Sequence, residues 1–140
     1  MRSLVKIIMM MMACILVMPS CKQERKAEAA NAEAQMRHVD PDEFERVIAD
    51  QDNVILVDMR TPSEYDEGHL EGALLIDVNS GDFRKEAKYK LPLSKTIAVY
   101  CRKGKRSDAA GKILVEEGYN VVDLQEGIEA WQKAGKKVVK

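Results

Sequence analysis

The chain has 140 residues, of which 22 are basic and 23 acidic, and it contains three cysteines. That length leaves room for one domain. The near balance of charge, with no basic stripe along the chain, argues against nucleic acid as the partner. The order of segments along the chain is therefore the main guide to what the protein does.

The amino terminus has the pattern of an export signal. Arg2 and Lys6 precede an uncharged apolar run over residues 7–17. A basic segment followed by a short apolar segment is typical of signal peptides. The run is much shorter than the about 20 apolar residues that a membrane-spanning helix needs. We therefore predict that residues 1–20 form a signal peptide.

The end of this segment resembles the lipobox of bacterial lipoproteins, because the small residue Ser20 stands directly before Cys21. The resemblance implies that Cys21 is lipidated, becomes the first mature residue and anchors an exported protein in the cell envelope. By resemblance to lipoprotein sorting, Lys22 implies the periplasmic face of the outer membrane in a cell with two membranes. The alternative is ordinary cleavage nearby, which would give a soluble secreted protein.

Residues 21–35 are charged and alanine-rich and contain no bulky apolar side chain. Such a segment has nothing to bury, so we predict a tether that holds a globular domain, residues 36–140, off the membrane. Removal of the signal takes Cys14 with it, and lipidation occupies Cys21. Cys101 is then left alone, without a partner for an internal disulfide, which indicates that its reactivity matters.

Within this domain, short apolar runs alternate with amphipathic stretches, a pattern typical of strands alternating with helices. This alternation predicts a three-layer α/β fold around a mainly parallel sheet. Ligands bind beyond the carboxyl ends of the strands in such sheets, and Cys101 directly follows one strand. In chain order the sequence predicts a strand over 37–40, a helix over 41–50, a strand over 54–59, a short helical turn and loop over 61–72, a strand over 73–78, a helix over 80–90, a strand over 96–100, a helix over 107–117, a strand over 121–124 and a helix over 126–135.

The loop after Cys101 is rich in positive charge. A thiol reacts as its thiolate, which nearby cations and a helix N-terminus stabilise. A glycine in the loop lets the backbone turn, so that successive N–H groups form an anion cradle. We predict that Cys101 is a nucleophile and that the five residues after it bind an anionic substrate; the alternative is a buried, inert cysteine followed by a solvated turn. Those five residues are Arg102, Lys103, Gly104, Lys105 and Arg106.

Three stretches of the domain resemble the single-domain rhodaneses, a family of thiosulfate and related sulfurtransferases: 57–73, 101–107 and 117–131. The resemblance implies a five-stranded parallel sheet with helices on both faces, and a Cys101 that carries sulfur as a persulfide. The donor would be thiosulfate or a related anion, bound by Arg102 and Lys103, and the acceptor a thiol or cyanide. We predict a monomer that needs neither a cofactor nor a metal.

The same resemblance assigns structural roles outside the loop. It implies a polar network under the active loop, built from Asp58, Arg60 and Glu64. His69 is expected to be structural, since an ionised thiol needs no general base, and Trp131 is expected to anchor the last helix in the core. The family's usual glycine pair before that helix is here Glu126 and Gly127, a departure from the pattern.

Two other functions use similar features. Cysteine phosphatases of the same fold place an arginine after five intervening residues, whereas four residues separate Cys101 from Arg106. A smaller ring of N–H donors should fit a single sulfur atom and not three phosphate oxygens. The other alternative is a non-enzymatic persulfide carrier or interaction module at the membrane.

Overall fold

The computed structural model describes residues 33–140, which form five strands and five helices in alternation. The predicted signal peptide, the lipidation site Cys21 and most of the tether lie outside the described residues. In chain order the elements are β1 Met36–Val39, α1 Pro41–Ile48, β2 Val54–Asp58, α2 Pro62–Glu67, β3 Leu74–Leu75, α3 Phe83–Lys90, β4 Thr96–Tyr100, α4 Lys105–Glu116, β5 Val121–Leu124 and α5 Gly127–Lys133.

The strands form one sheet in the order β1-β5-β4-β2-β3, and every pair is parallel. Alternate residues of each strand point to opposite faces. One face packs on α3 and α4 through residues such as Phe83 and Leu114, and the other packs on α1 and α5 through Phe44 and Trp131. The predicted α/β three-layer fold is confirmed.

The helix starts follow from local sequence. Asp40 accepts a hydrogen bond from the Glu43 amide at 2.8 Å, and a proline occupies the first turn of α1. Thr61 and Glu64 form a reciprocal capping box at the start of α2, and a proline again occupies the first turn of the helix. Both arrangements satisfy N–H groups that have no partner within the helix.

Several predicted boundaries are wrong: the helix predicted from residue 80 begins at Phe83, and two further errors lie at the sheet edge and at the active loop. The strand predicted over 73–78 is only Leu74–Leu75, because it lies at the sheet edge and its sole neighbour, β2, ends at Asp58. The helix predicted from Ser107 begins two residues earlier. Its first backbone bond runs from the Asp108 amide to the Gly104 carbonyl at 3.0 Å, so Gly104 is already the capping position.

Between residues 33 and 140, none of the helices has both the length and the apolar character needed to cross a membrane.

Candidate active site

Cys101 lies at the carboxyl edge of the sheet, directly after β4, which pairs with β2 on one side and β5 on the other. The residue is 1% exposed. The Gly104 amide donates a hydrogen bond to the Cys101 Sγ at 3.1 Å. The chain therefore folds back over its own thiol within three residues, and it points a backbone N–H at the sulfur.

The sharp turn depends on Gly104. Its φ of +93° lies in the left-handed region, which favours glycine. A Cβ on Gly104 would approach the Glu126 amide nitrogen to 3.1 Å, so space as well as conformation restricts this position. Because α4 begins at the next residue, its free N–H groups face the loop that holds Cys101.

The first turn of α5 holds the start of the loop. The Ile128 amide donates to the Cys101 carbonyl at 2.9 Å, and the Glu129 amide donates to the Arg102 carbonyl at 3.2 Å. A Cβ on Gly127 would clash with the Cys101 carbonyl oxygen and lie 2.5 Å from that of Arg102. The second residue of the family's glycine pair is thus the sterically required one, whereas Glu126 is accommodated at a φ of +61°.

The structure gathers the five predicted binding residues into one turn around Cys101. Lys103 and Lys105 are exposed. Arg102 donates from Nε to the Glu129 carboxylate at 2.8 Å, and Arg106 donates to both oxygens of Glu64. Two of the four loop cations therefore already face a carboxylate of this chain. Substrate binding by the five residues stays a prediction.

Ser107, at which the predicted helix began, does not cap α4. It lies inside the first turn, is fully buried, and its hydroxyl donates to the Gly104 carbonyl at 3.2 Å. That bond supports the loop from the helix side.

The predicted polar network is present, but it consists of two separate parts. The buried Asp58 carboxylate accepts from Arg60 at 2.7 Å and from the Tyr100 hydroxyl at 2.6 Å. Tyr100 also accepts from the Leu70 amide, and Arg60 donates to the Gly68 carbonyl. Burial and the neighbouring Asp58 carboxylate raise the pKa of the Tyr100 hydroxyl, so it remains a donor.

Sequence reasoning missed Tyr100, which lies immediately before Cys101 and ties the end of β4 to the loop at 68–70. Its apolar neighbours in β4 gave it the pattern of an ordinary core residue.

Glu64 belongs to the second part, which joins α2 to α4. It accepts from Arg106 at 2.7 and 2.8 Å. Its pKa falls from the ordinary 4.5 to about 2, chiefly because of the Arg106 hydrogen bonds, with Thr61 adding to the effect against the opposing influence of burial. The pair clamps the first turn of α4, and hence the active loop, to the neighbouring helix.

Because the pair of Glu64 and Arg106 requires an ionised carboxylate, we expect the protein to lose stability in acid. Since the pKa of Glu64 is depressed on folding, its contribution is complete above 4.5 and is lost as the pH falls toward 2. We expect Glu64→Gln to lower the free energy of unfolding by about 1–2 kcal/mol above pH 4.5. The difference from the wild type should shrink steadily in more acidic urea titrations.

Glu116→Gln is the matched control, because it removes one carboxylate from a more exposed pair with Arg84. We expect a change of less than about 0.5 kcal/mol there. A Glu64→Gln effect that is equally large at both ends of the pH range would contradict the assignment of the acid sensitivity to this pair.

His69 and Trp131 occupy structural positions. The His69 ring stacks on Tyr65 with ring centroids 3.6 Å apart, and its backbone pairs with Val139. Trp131 is 5% exposed and packs edge-on against Phe44. Both residues behave as expected.

A cleft of about 300 Å³ lies beside the active loop. Arg102 and Glu129 line it together, and Glu64 and Gln132 contribute to its walls. The cleft therefore adjoins the residue that follows the thiol.

The structure is thus an α/β domain with a buried thiol under a glycine turn, at the carboxyl edge of a parallel sheet and at the start of a loop that carries four cations. Residues 40–134 match the family model of the rhodanese-like domain. The chain belongs to that family.

The chain is 32% identical over 105 residues to a protein named sulfurtransferase from Allochromatium vinosum, covering 74% of this chain and 95% of the relative. It is 32% identical over 89 residues to the thiosulfate sulfurtransferase GlpE of Pseudoalteromonas translucida, covering 62% and 81%. A tRNA uridine(34) hydroxylase of Pelagibacter ubique is 37% identical over 103 residues, 71% of this chain, but these make up only 33% of that relative.

Among solved structures, the chain is similar to a rhodanese-related protein from Thermoplasma volcanium, with a TM-score of 0.65 and 30% identity. The match covers 74% of this chain and 97% of that one. The similarity thus extends over essentially the whole globular domain.

Proposed function

We propose that the protein is a sulfurtransferase that takes the sulfane sulfur of thiosulfate, or of a related donor, onto Cys101 and passes it to a thiophilic acceptor. The Gly104 amide directed at the Cys101 Sγ is the observation that carries this proposal. The relatives named sulfurtransferase and thiosulfate sulfurtransferase support it. The test is formation of thiocyanate from thiosulfate and cyanide by the purified protein; no thiocyanate above the uncatalysed rate would refute the proposal.

The transfer has two steps. In the first, the Cys101 thiolate attacks the outer sulfur of the donor, the sulfur–sulfur bond of the donor breaks, and sulfite leaves with the electron pair. In the second, an acceptor thiol or cyanide attacks the terminal sulfur of the persulfide and the Cys101 thiolate is released. No electron is gained or lost overall, so no further reactant is needed.

The loop supplies the electrostatic stabilisation. The Gly104 N–H donates to the sulfur that carries the negative charge of the thiolate, and the N-terminus of α4, which begins at the next residue, favours negative charge in the loop, including that of the outer sulfur of the persulfide. The exposed Lys103 and Lys105 provide positive charge at the loop surface for an anionic donor. Arg106, held by Glu64, fixes the helix that carries these N–H groups.

A carrier or interaction module is the second candidate that the loop would suit. A carrier would form the same persulfide on Cys101 but would transfer it only to a specific protein. Repeated turnover with cyanide or a small thiol favours the enzyme, whereas a persulfide that survives both acceptors favours the carrier.

The loop geometry also predicts poor phosphatase activity. Only Arg102, Lys103 and Gly104 lie between Cys101 and the start of α4, so the ring of N–H donors is small. We expect hydrolysis of an aryl phosphate at less than about one thousandth of the rate of sulfur transfer. The two rates are compared on one protein preparation, and comparable turnover would overturn the loop-size argument.

We propose further that the protein acts as a monomer at the cell envelope, held by a lipid on Cys21, at the periplasmic face of the outer membrane where two membranes exist. The export-signal pattern before Cys21 supports this location.

Cys21→Ala is therefore expected to move the protein from the membrane to the soluble fraction, because the tether after residue 21 has no apolar segment that could bind a bilayer. Fractionation followed by immunoblotting measures this, with Cys101→Ala as the matched control that should remain in the membrane fraction. A Cys21→Ala variant that still sediments with membranes would show that another segment forms the anchor.

A further inference from the structure

We propose that Glu129 is a specificity-determining residue, which holds the Arg102 guanidinium and thereby disfavours dianionic sulfur donors relative to monoanionic ones. The inference rests on the proposed sulfur transfer and refines its substrate class.

The first observation is that Arg102 and Glu129 are joined both by a side-chain hydrogen bond and by a backbone hydrogen bond. The Arg102 Nε donates to the Glu129 carboxylate at 2.8 Å, and the Glu129 amide donates to the Arg102 carbonyl at 3.2 Å. The backbone bond fixes the start of α5 against the residue next to Cys101. The fold therefore brings the two residues together through the backbone, while both side chains lie exposed at the cleft.

The second observation concerns where the pair lies. Arg102 and Glu129 both line the cleft beside the active loop. Glu129 also lines a second depression, which contains Lys103. Glu129 thus lines a depression together with each of two loop cations, Arg102 and Lys103.

The third observation is the charge of the cleft. Its walls carry three carboxylates, Glu64, Glu67 and Glu129, against two guanidiniums. One of these, Arg60, is 5% exposed and already bonded to Asp58 and to the Gly68 carbonyl. Arg102 is the remaining guanidinium of the cleft, and its Nε donates to the Glu129 carboxylate.

The Glu129 carboxylate accepts from the Nε–H of Arg102 and so reduces the positive charge that this guanidinium presents to an anionic donor. A dianion gains more than a monoanion from a guanidinium whose charge is not offset by a carboxylate. Removing the negative charge of Glu129 should therefore help the dianion more.

The test compares two donors of similar shape: thiosulfate, a dianion, and methanethiosulfonate, in which a methyl group replaces one charged oxygen. Glu129→Gln preserves the size of the side chain and removes its charge. We expect the KM for thiosulfate to fall about fivefold and that for methanethiosulfonate less than about twofold, with kcat unchanged for both. The advantage should diminish as ionic strength rises, because both side chains are exposed.

Two further variants separate the mechanism from general charge effects. Glu116→Gln makes the same charge change near the opposite end of α4, in an exposed pair with Arg84, and should leave the KM ratio of the two donors unchanged. In an Arg102→Gln background, Glu129→Gln should no longer change that ratio, because its effect passes through Arg102.

An equal fall in KM for both donors, or none, would overturn the inference while leaving sulfur transfer intact. Persistence of the selective effect without Arg102 would also overturn it, since Glu129 would then act on the donor directly. Absence of turnover on both donors in the wild type would refute the proposed function itself, and the inference with it.

Discussion

Cys101→Ser is expected to abolish sulfur transfer while the domain stays folded. A serine hydroxyl is not ionised near neutral pH and does not attack sulfane sulfur, so we expect the rate to fall at least about a thousandfold. The exchange is close to isosteric, and the Gly104 amide that donates to the sulfur can donate to a hydroxyl in its place.

Thiocyanate formation measures the loss, and thermal unfolding checks the fold. Cys101 is buried within the core cluster that includes Val99 and Ala110, so Cys101→Ala provides a second inactive variant in which no hydroxyl is introduced. More than a trace of activity in either folded variant would show that another group carries the sulfur.

Gly127→Ala is expected to have the second largest effect. The new methyl group would clash with the Cys101 carbonyl oxygen and lie 2.5 Å from the Arg102 carbonyl oxygen, at a residue whose φ is +65°. The obstructing atoms are backbone, so relief requires the active loop to move away from α5. We expect a loss of about 2–4 kcal/mol in the free energy of unfolding, and a fall in kcat/KM of at least about a hundredfold in the protein that remains folded.

Gly135→Ala is a matched control for the backbone strain. Gly135 also has a left-handed φ, +76°, but a Cβ there would meet nothing within 4 Å. It should cost only about 1–2 kcal/mol and leave kcat/KM unchanged. Equal effects of the two substitutions on activity would contradict the role given to the contact between Gly127 and the loop.

Much of the fold could be predicted because its causes are local. Apolar runs such as 54–58 and 96–100 are long enough for a strand and bounded by turn residues, and the caps at Asp40 and Thr61 mark helix starts directly. The position of Cys101 at the carboxyl edge followed from the alternation of strands and helices alone.

The charge pairing of the site could not be predicted in the same way. Arg106 is paired with Glu64, which lies 42 residues earlier in the sequence, and Arg102 is paired with Glu129, which lies 27 residues later. In the sequence these cations appear as one cluster around the thiol, whereas tertiary packing gives two of them carboxylate partners. The predicted start of α4 was also wrong. Gly104 adopts a left-handed conformation and caps the helix, although Ser107, three residues later, is the more typical capping residue type.

Mass spectrometry of the purified wild-type protein after incubation with thiosulfate tests the central claim most directly. We expect the intact mass to increase by one sulfur atom, the extra sulfur to map to the peptide that contains Cys101, and cyanide to remove it. A folded protein whose Cys101 remains unmodified, or one that carries the added sulfur elsewhere, would contradict the assignment of Cys101 as the sulfur carrier.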